Sequence, residues 1–251
     1  MPWALALLLV VLPGFVAAQS GVHPSALTYV ETAAPARSVA LAPDLPWPQS
    51  ARLLGTTTRY AHDVLGGTPR WTDLRISTSA CADCGNRSHT IRLPETLVFE
   101  DTGPRFWDVT GDGSPEIVVV ESHLEKGARL AVWSFTRDGL KRLATTPHIG
   151  RSNRWLAPFG VADFNGDGKP DIAYVDRPHL AKELVIVTLQ GAQLSEVARA
   201  GGVTNHRIGE AVISGGVRDC GQGPEAILAN ANWTKVVAVQ LIGKTLQTRT
   251  L

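Results

Sequence analysis

The chain has 251 residues, 44% apolar and 19% charged, enough to bury a sizeable core in one large domain. A net charge of +1 gives no electrostatic reason to expect nucleic acid or an acidic membrane surface as a partner. No stretch is long and apolar enough to span a bilayer, which takes about 20 residues.

The first eighteen residues stand apart. Ala4–Leu12 is apolar and uncharged, Pro13 and Gly14 follow, and small residues at Val16 and Ala18 fit a cut before Gln19. Residues 1–18 therefore read as a signal peptide, although no Lys or Arg precedes the apolar run. The mature protein is expected to be periplasmic or secreted, without a membrane span and in an oxidising compartment. Residues 19–50, rich in Ala, Pro and Ser, read as a lead-in segment that supplies one or two strands, ahead of a domain over 51–251.

Short apolar runs with turn signals between them fill that domain: Glu116–Glu121, Arg129–Ser134, Asp171–Val175, Leu184–Thr188, Ala226–Ala229 and Lys235–Gln240. The class is all-β. Three cysteines are present. Cys81 and Cys84 run into the turn at Gly85-Asn86 and are expected to form a local disulfide, leaving Cys220 buried or solitary.

The chain also resembles itself. Phe106–Ser122 matches Val161–Arg177 at an offset of 55 residues (Asp108 to Asp163). A third copy, Val217–Leu228, lies a further 54 residues on (Asp171 to Glu225) and keeps the Gly-Pro-acid-apolar exit but few loop acids. Tyr60–Pro69 reads as a fourth, decayed copy. After each loop come strand, turn, strand, turn, strand, which is the pattern of a propeller blade. The expected architecture is a β-propeller of four-stranded antiparallel blades, four or five in number.

The loops themselves offer oxygen at alternate positions, as a hard cation such as calcium requires. The second loop supplies Asp163, Asn165, Asp167, the Lys169 carbonyl and Asp171. The first supplies Asp108, Thr110, Asp112, the Ser114 carbonyl and Glu116. A plain hairpin turn uses Asp-Gly but does not need acids four residues to either side. At Asp219 and Glu225 a plain turn is favoured. With their apolar exits, the two full loops resemble FG-GAP/VCBS repeats, the calcium-loop blades of integrin-α-type propellers and of many exported bacterial proteins. The resemblance implies that calcium here is structural, pinning the turn between the first two strands of a blade.

If the acidic loops lie at one end of the blades, the second-to-third-strand turns and the blade-to-blade links gather at the other. That end collects Glu121, His123, Asp176, Arg177, His179, Asn232 and Trp233 from the turns. The links add Arg151, Arg154, Trp155, Asn205, His206 and Arg207. This polar face is the expected binding surface for an extracytoplasmic protein or glycan, presented by a monomer. No nucleophile elbow or phosphate loop occurs. A non-enzymatic binding module is thus preferred over a hydrolase or lyase acting on a polysaccharide or similar polymer.

Overall fold

Several central segments are apolar at every position, and such a strand must be covered on both faces. Ile117–Val120, Ile172–Val175 and Leu184–Val187 are of this kind, and each is fully or almost fully buried. The computed structural model describes residues 29–33, 47–79, 88–136 and 139–251. Every helix or strand assigned among them is a strand, so the class is all-β. Residues 1–18, expected to be a signal peptide, and Cys81 and Cys84, expected to form a disulfide, lie outside the described residues.

The strands fall into four units in chain order. The first holds β1 (Tyr29–Ala33), β2 (Pro48–Thr57), β3 (Arg70–Thr78) and β4 (Ser88–Arg92). The second holds β5 (Leu97–Phe99), β6 (Arg105–Trp107), β7 (Glu116–His123), β8 (Gly127–Thr136) and β9 (Gly139–Thr145). The third holds β10 (Leu156–Ala162), β11 (Asp171–Asp176), β12 (Glu183–Gln190) and β13 (Gln193–Gly201). The fourth holds β14 (Val203–Thr204), β15 (Gly216–Asp219), β16 (Pro224–Asn230), β17 (Val236–Ile242) and β18 (Thr245–Thr250).

Within units the pairing is antiparallel, in the order expected of a meander. In units two and four the first strand is split. β5 and β6 pair with opposite ends of β7, and β14 and β15 with opposite ends of β16. In unit three the equivalent strand stays whole but bulges between Pro158 and Gly160. β1 and the start of β2 come from the lead-in segment, with Val30 opposite Leu53.

The first three units join into one thirteen-stranded sheet through narrow seams, and the fourth forms a separate five-stranded sheet. One seam is a single pair, Trp71 opposite Phe99. Another is Gln193 beside Thr145. Among the described residues no strand of the fourth unit pairs with the first, so the closed ring of a propeller is not shown. The repeated four-stranded unit is.

Side-chain alternation explains how the units stack. On β7, Ile117 and Val119 enter a core shared with unit one, which includes Leu53, Trp71 and Leu74. Val118 and Val120 enter the opposite core, with Ile172 and Tyr174 of unit three. On β11 the next pair, Ala173 and Val175, faces a third core with Leu228 and Val239 of unit four. Units two and three are therefore covered on both faces.

Tyr60–Pro69 is not a decayed acidic loop. It joins the second and third strands of its unit, β2 and β3, and so occupies the turn equivalent to 124–126 in unit two. Its Gly-Gly-Thr-Pro run shapes a turn at the end of the strands opposite the acidic loops.

Units three and four touch where Gly160 lies against Val217. A Cβ added at Gly160 would run into Val217 Cγ2 while standing 3.4 Å from Val217 Cβ. Gly160→Ala should therefore cost about 1–3 kcal/mol through overpacking. Adding Val217→Ala should recover most of that loss. Urea melts of both variants check this, and an unchanged midpoint for the single variant would refute the contact.

Candidate functional site

Two kinds of site emerge at opposite ends of the strands. At one end lie the acidic loops. In the loop at Asp163, the amides of Gly166 and Gly168 donate to the two Asp163 oxygens at 2.8 and 2.9 Å. Lys169 N donates to Asp167 at 2.9 Å, and Phe164 N and Asn165 N donate to Asp171 at 3.1 and 3.3 Å. The loop at Asp108 repeats this bond for bond. Gly111 N and Gly113 N donate to Asp108, Ser114 N to Asp112, and Val109 N and Thr110 N to Glu116. Gly111, Gly113, Gly166 and Gly168 all have φ between 74° and 84°, a region that glycine enters without a steric penalty. The loops are neighbours: a Cβ at Gly111 would stand 3.3 Å from Pro170 Cδ.

The oxygens at Asp163, Asn165, Asp167, Lys169 and Asp171 suit calcium in kind and number. Two observations favour a cation. The Asp171 Oδ1 atom is buried and makes no hydrogen bond of ordinary length, although the Thr188 hydroxyl lies close enough to the carboxyl to favour its charged form. Glu116 is pushed up to about 7, chiefly by burial, with the Asp112 and Asp108 charges adding to it. Burial likewise raises Asp171, with Asp167 adding to it. These carboxylates are short of positive charge. As placed, they face their own loop amides. Among the described residues no three His, Cys, Asp or Glu side chains converge on a metal-sized point. An ion held here would rely on Asn165 and the Lys169 carbonyl as well as the acids, and in the first loop on Thr110 and the Ser114 carbonyl.

The third loop meets the same need differently. Its exit acid Glu225 is bound by Arg218 at 3.0 Å and Arg249 at 2.7 Å, so guanidinium supplies the charge. Cys220 beside it is free and exposed rather than buried.

At the other end, links and turns are stitched together across units. Ala128 N donates to Arg154 O, Arg177 N to Trp155 O, Val203 N to Lys182 O, and Gly209 N to Val64 O. At the centre sits Glu100, on the break between β5 and β6, fully buried. Its carboxylate accepts His62 Nδ1–H at 2.8 Å and the Ser122 hydroxyl at 2.6 Å. Its carbonyl accepts Trp155 Nε1–H at 2.8 Å. One residue thus ties units one, two and three. Tyr60 lies edge-on to His62, and its hydroxyl accepts Asn153 N–H at 2.8 Å. Burial, aided by the Glu100 charge, pushes that phenol up to about 12.

Trp155 extends the network to unit four. Its ring stacks on His179 at 6.4 Å between centroids and meets the edge of His206 at 4.9 Å. His206 Nε2 lies 2.9 Å from the Glu210 carbonyl, so it must carry the proton. His206 Nδ1 is then an acceptor, and it receives His179 Nε2–H at 2.9 Å. Asn205, beside it, donates from Nδ2 to Ala157 O at 3.0 Å.

The structure sorts the residues predicted for this face. Glu121 is fully buried between Arg129 and Arg142, and Asp176 is buried against Arg177 and Arg199. Trp155, Asn205 and His206 are buried too. These five hold the face together and do not offer themselves to a partner. His123 is half-buried, edge-on to His148, and its Nδ1 accepts Glu125 N–H at 3.0 Å. Arg154 and His179 are half-buried, while Arg151, Arg207 and Asn232 are exposed. Arg207 lies 3.9 Å over the half-buried Trp233 ring. Sequence reasoning missed Tyr60, His62, Glu100 and Ser122. The only available signal was the sequential acid pair Glu100-Asp101 ahead of Gly103-Pro104, an unusual place to put two charges if neither has a partner.

Residues 108–174 match the family model of the FG-GAP-like repeat, a span that starts at the first acidic loop and contains the second. A comparison with curated proteins found no match. No helix among the described residues is long and apolar enough to cross a membrane.

Glu95 and Glu100 flank β5 with opposite surroundings. Glu100→Ala strands His62, Ser122 and the nearby Arg70, and should cost about 3 kcal/mol or more. Glu95 is almost fully exposed in its ion pair with Arg59, and Glu95→Ala should leave the thermal melt unchanged. Parallel melts compare the two. Equal effects would remove Glu100 from its central role.

Proposed function

We propose that this protein is an exported, calcium-stabilised β-propeller module that binds an extracytoplasmic protein or glycan through the face opposite its acidic loops. The observation that carries the reading is the pair of acidic loops with matching hydrogen bonds, in a segment matching the FG-GAP-like repeat. Four stacked units give the scaffold, and calcium at the loops is structural. Export rests on the sequence of Met1–Ala18.

A binding role suits the opposite face better than a polymer-cleaving one. His179 and His206 are spent on each other and on a backbone carbonyl, and Glu121 and Asp176 are spent on arginines. What remains outward is Arg151, Arg207 on Trp233, Asn232, and the partly exposed His123 and Arg154. Beside Trp233 lies a concavity of 390 Å³ lined by Arg207, Ile227, Ala229 and Val236. A mixed basic and aromatic surface on stitched loops is a contact surface that loses little entropy on binding.

Calcium is tested by melting the protein with excess calcium and with chelator. An ion at about 100 times its Kd adds about 2.7 kcal/mol, so calcium should raise Tm by roughly 5 °C or more. Asp167→Ala should lose much of that rise. An identical Tm with and without chelator would remove the metal.

The face is tested with Arg151→Glu combined with Arg207→Glu. The pair should weaken glycan-array or extracytoplasmic-partner binding at least ten-fold, by order of magnitude for exposed anchor charges, with an unchanged melt. Full binding by the folded double variant would place the contact surface elsewhere.

A further inference from the structure

We propose that segment 203–215, the link into and through the split first strand of unit four, is an acid-sensitive latch whose catch is the His179–His206 pair. This goes beyond the binding reading and does not depend on which ligand the face takes.

The link leaves β14, passes over the end of the stack and returns at β15. Few bonds hold it. Thr204 Oγ1 donates to Pro178 O at 2.8 Å, Gly209 N donates to Val64 O at 3.1 Å, and Asn205 Nδ2 donates to Ala157 O. Ile208 and Val212 within it are strongly exposed and contribute little burial. The buried anchor at its base is His206, between Trp155 and His179.

That anchor is built for a neutral His206. Its Nε2–H is committed to the Glu210 carbonyl, and its Nδ1 lone pair receives His179 Nε2–H. A proton on Nδ1 either opposes the His179 N–H or forces His179 into its Nδ1–H tautomer, and in both cases it buries a charge. A proton on His179 keeps the donor but buries a charge. The ionisable groups that act most strongly on His179 are His206 on the link, His62 on the 58–69 loop and Lys182 on its own turn, and each disfavours its charged form. Glu210 is the one acid acting on His206, and its carboxylate also faces Arg207 at 3.3 Å. Glu100, whose carbonyl binds Trp155, spends its carboxylate on His62 and Ser122.

The titration follows the same sense. Burial, with His206 and His62 adding to it, lowers His179 to about 4, and burial lowers His206. A histidine freed by opening returns to its ordinary value of 6.5. The open form therefore binds more protons, and closure weakens as pH falls from 6.5 toward 4.

Hydrogen–deuterium exchange of the full chain, corrected for intrinsic rates, tests the latch at pH 7.5 and 5.0. If His179 alone is released, opening of 203–212 should rise about 30-fold between those values. Residues 117–120 and 184–187 should stay protected. Histidine ring-nitrogen NMR on the same protein should show both rings as Nε2–H tautomers at pH 7.5, with protonation tracking the opening. Folded His206→Gln or His179→Gln should have a much weaker pH dependence. The proposal is overturned by constant protection of 203–212, by ring protonation without opening, or by variants that open with the wild-type pH profile. The wild-type measurements decide if a variant does not fold.

Discussion

A strand that is apolar on both sides cannot sit at a surface, and this molecule has several. Ile117–Val120 sends alternate side chains into two different cores, and Ile172–Val175 does the same. A lone unit would expose one of those faces to water, at roughly 25 cal/mol for each Å² of apolar surface. Units two and three therefore require neighbours on both sides, and the stack follows from that requirement. The hydrogen-bonded seams between units are narrow, down to a single residue pair, so side-chain packing rather than sheet continuity holds the units together.

Stacking leaves the strand ends to be closed by polar groups, and the two ends are closed differently. At the loop end, backbone amides converge on aspartates, a local device that each repeat completes alone. At the link end, closure is non-local. Glu100 of unit two takes bonds from units one and three, and Trp155 passes the contact on to His206. Three other buried acids share one device. An arginine from the fourth strand reaches across to a central strand, as Arg142 does to Glu121, Arg199 to Asp176 and Arg249 to Glu225. Such a partner offsets the desolvation of a buried carboxylate. The split of the first strand in units two and four makes room for the residues that close the link end. Glu100-Asp101 and Asn205-His206 lie directly after β5 and β14.

The loops were legible because their chemistry is contiguous. Asp163 and Asp171 meet the same short run of amides, so spacing alone conveys the arrangement, and the copy at Asp108 confirms its period. The link end was legible only as a place. Turn order predicted that His179, His206 and Trp155 gather there, but not that two of them are buried. Tyr60–Pro69 was misjudged because glycine and proline mark any turn, at either end of a strand. Glu100 and His62 are 38 residues apart, and no periodicity links them.

The sequence by itself determined the all-β class, the repeat of about 55 residues and the acidic loops. Each depends on residues close enough in the chain to interact by local geometry. Tertiary structure alone decided which polar residues of the opposite end are spent inside the molecule and which face outward. That choice depends on burial and on partners brought from other units, and burial is a property of the packed stack rather than of any one segment.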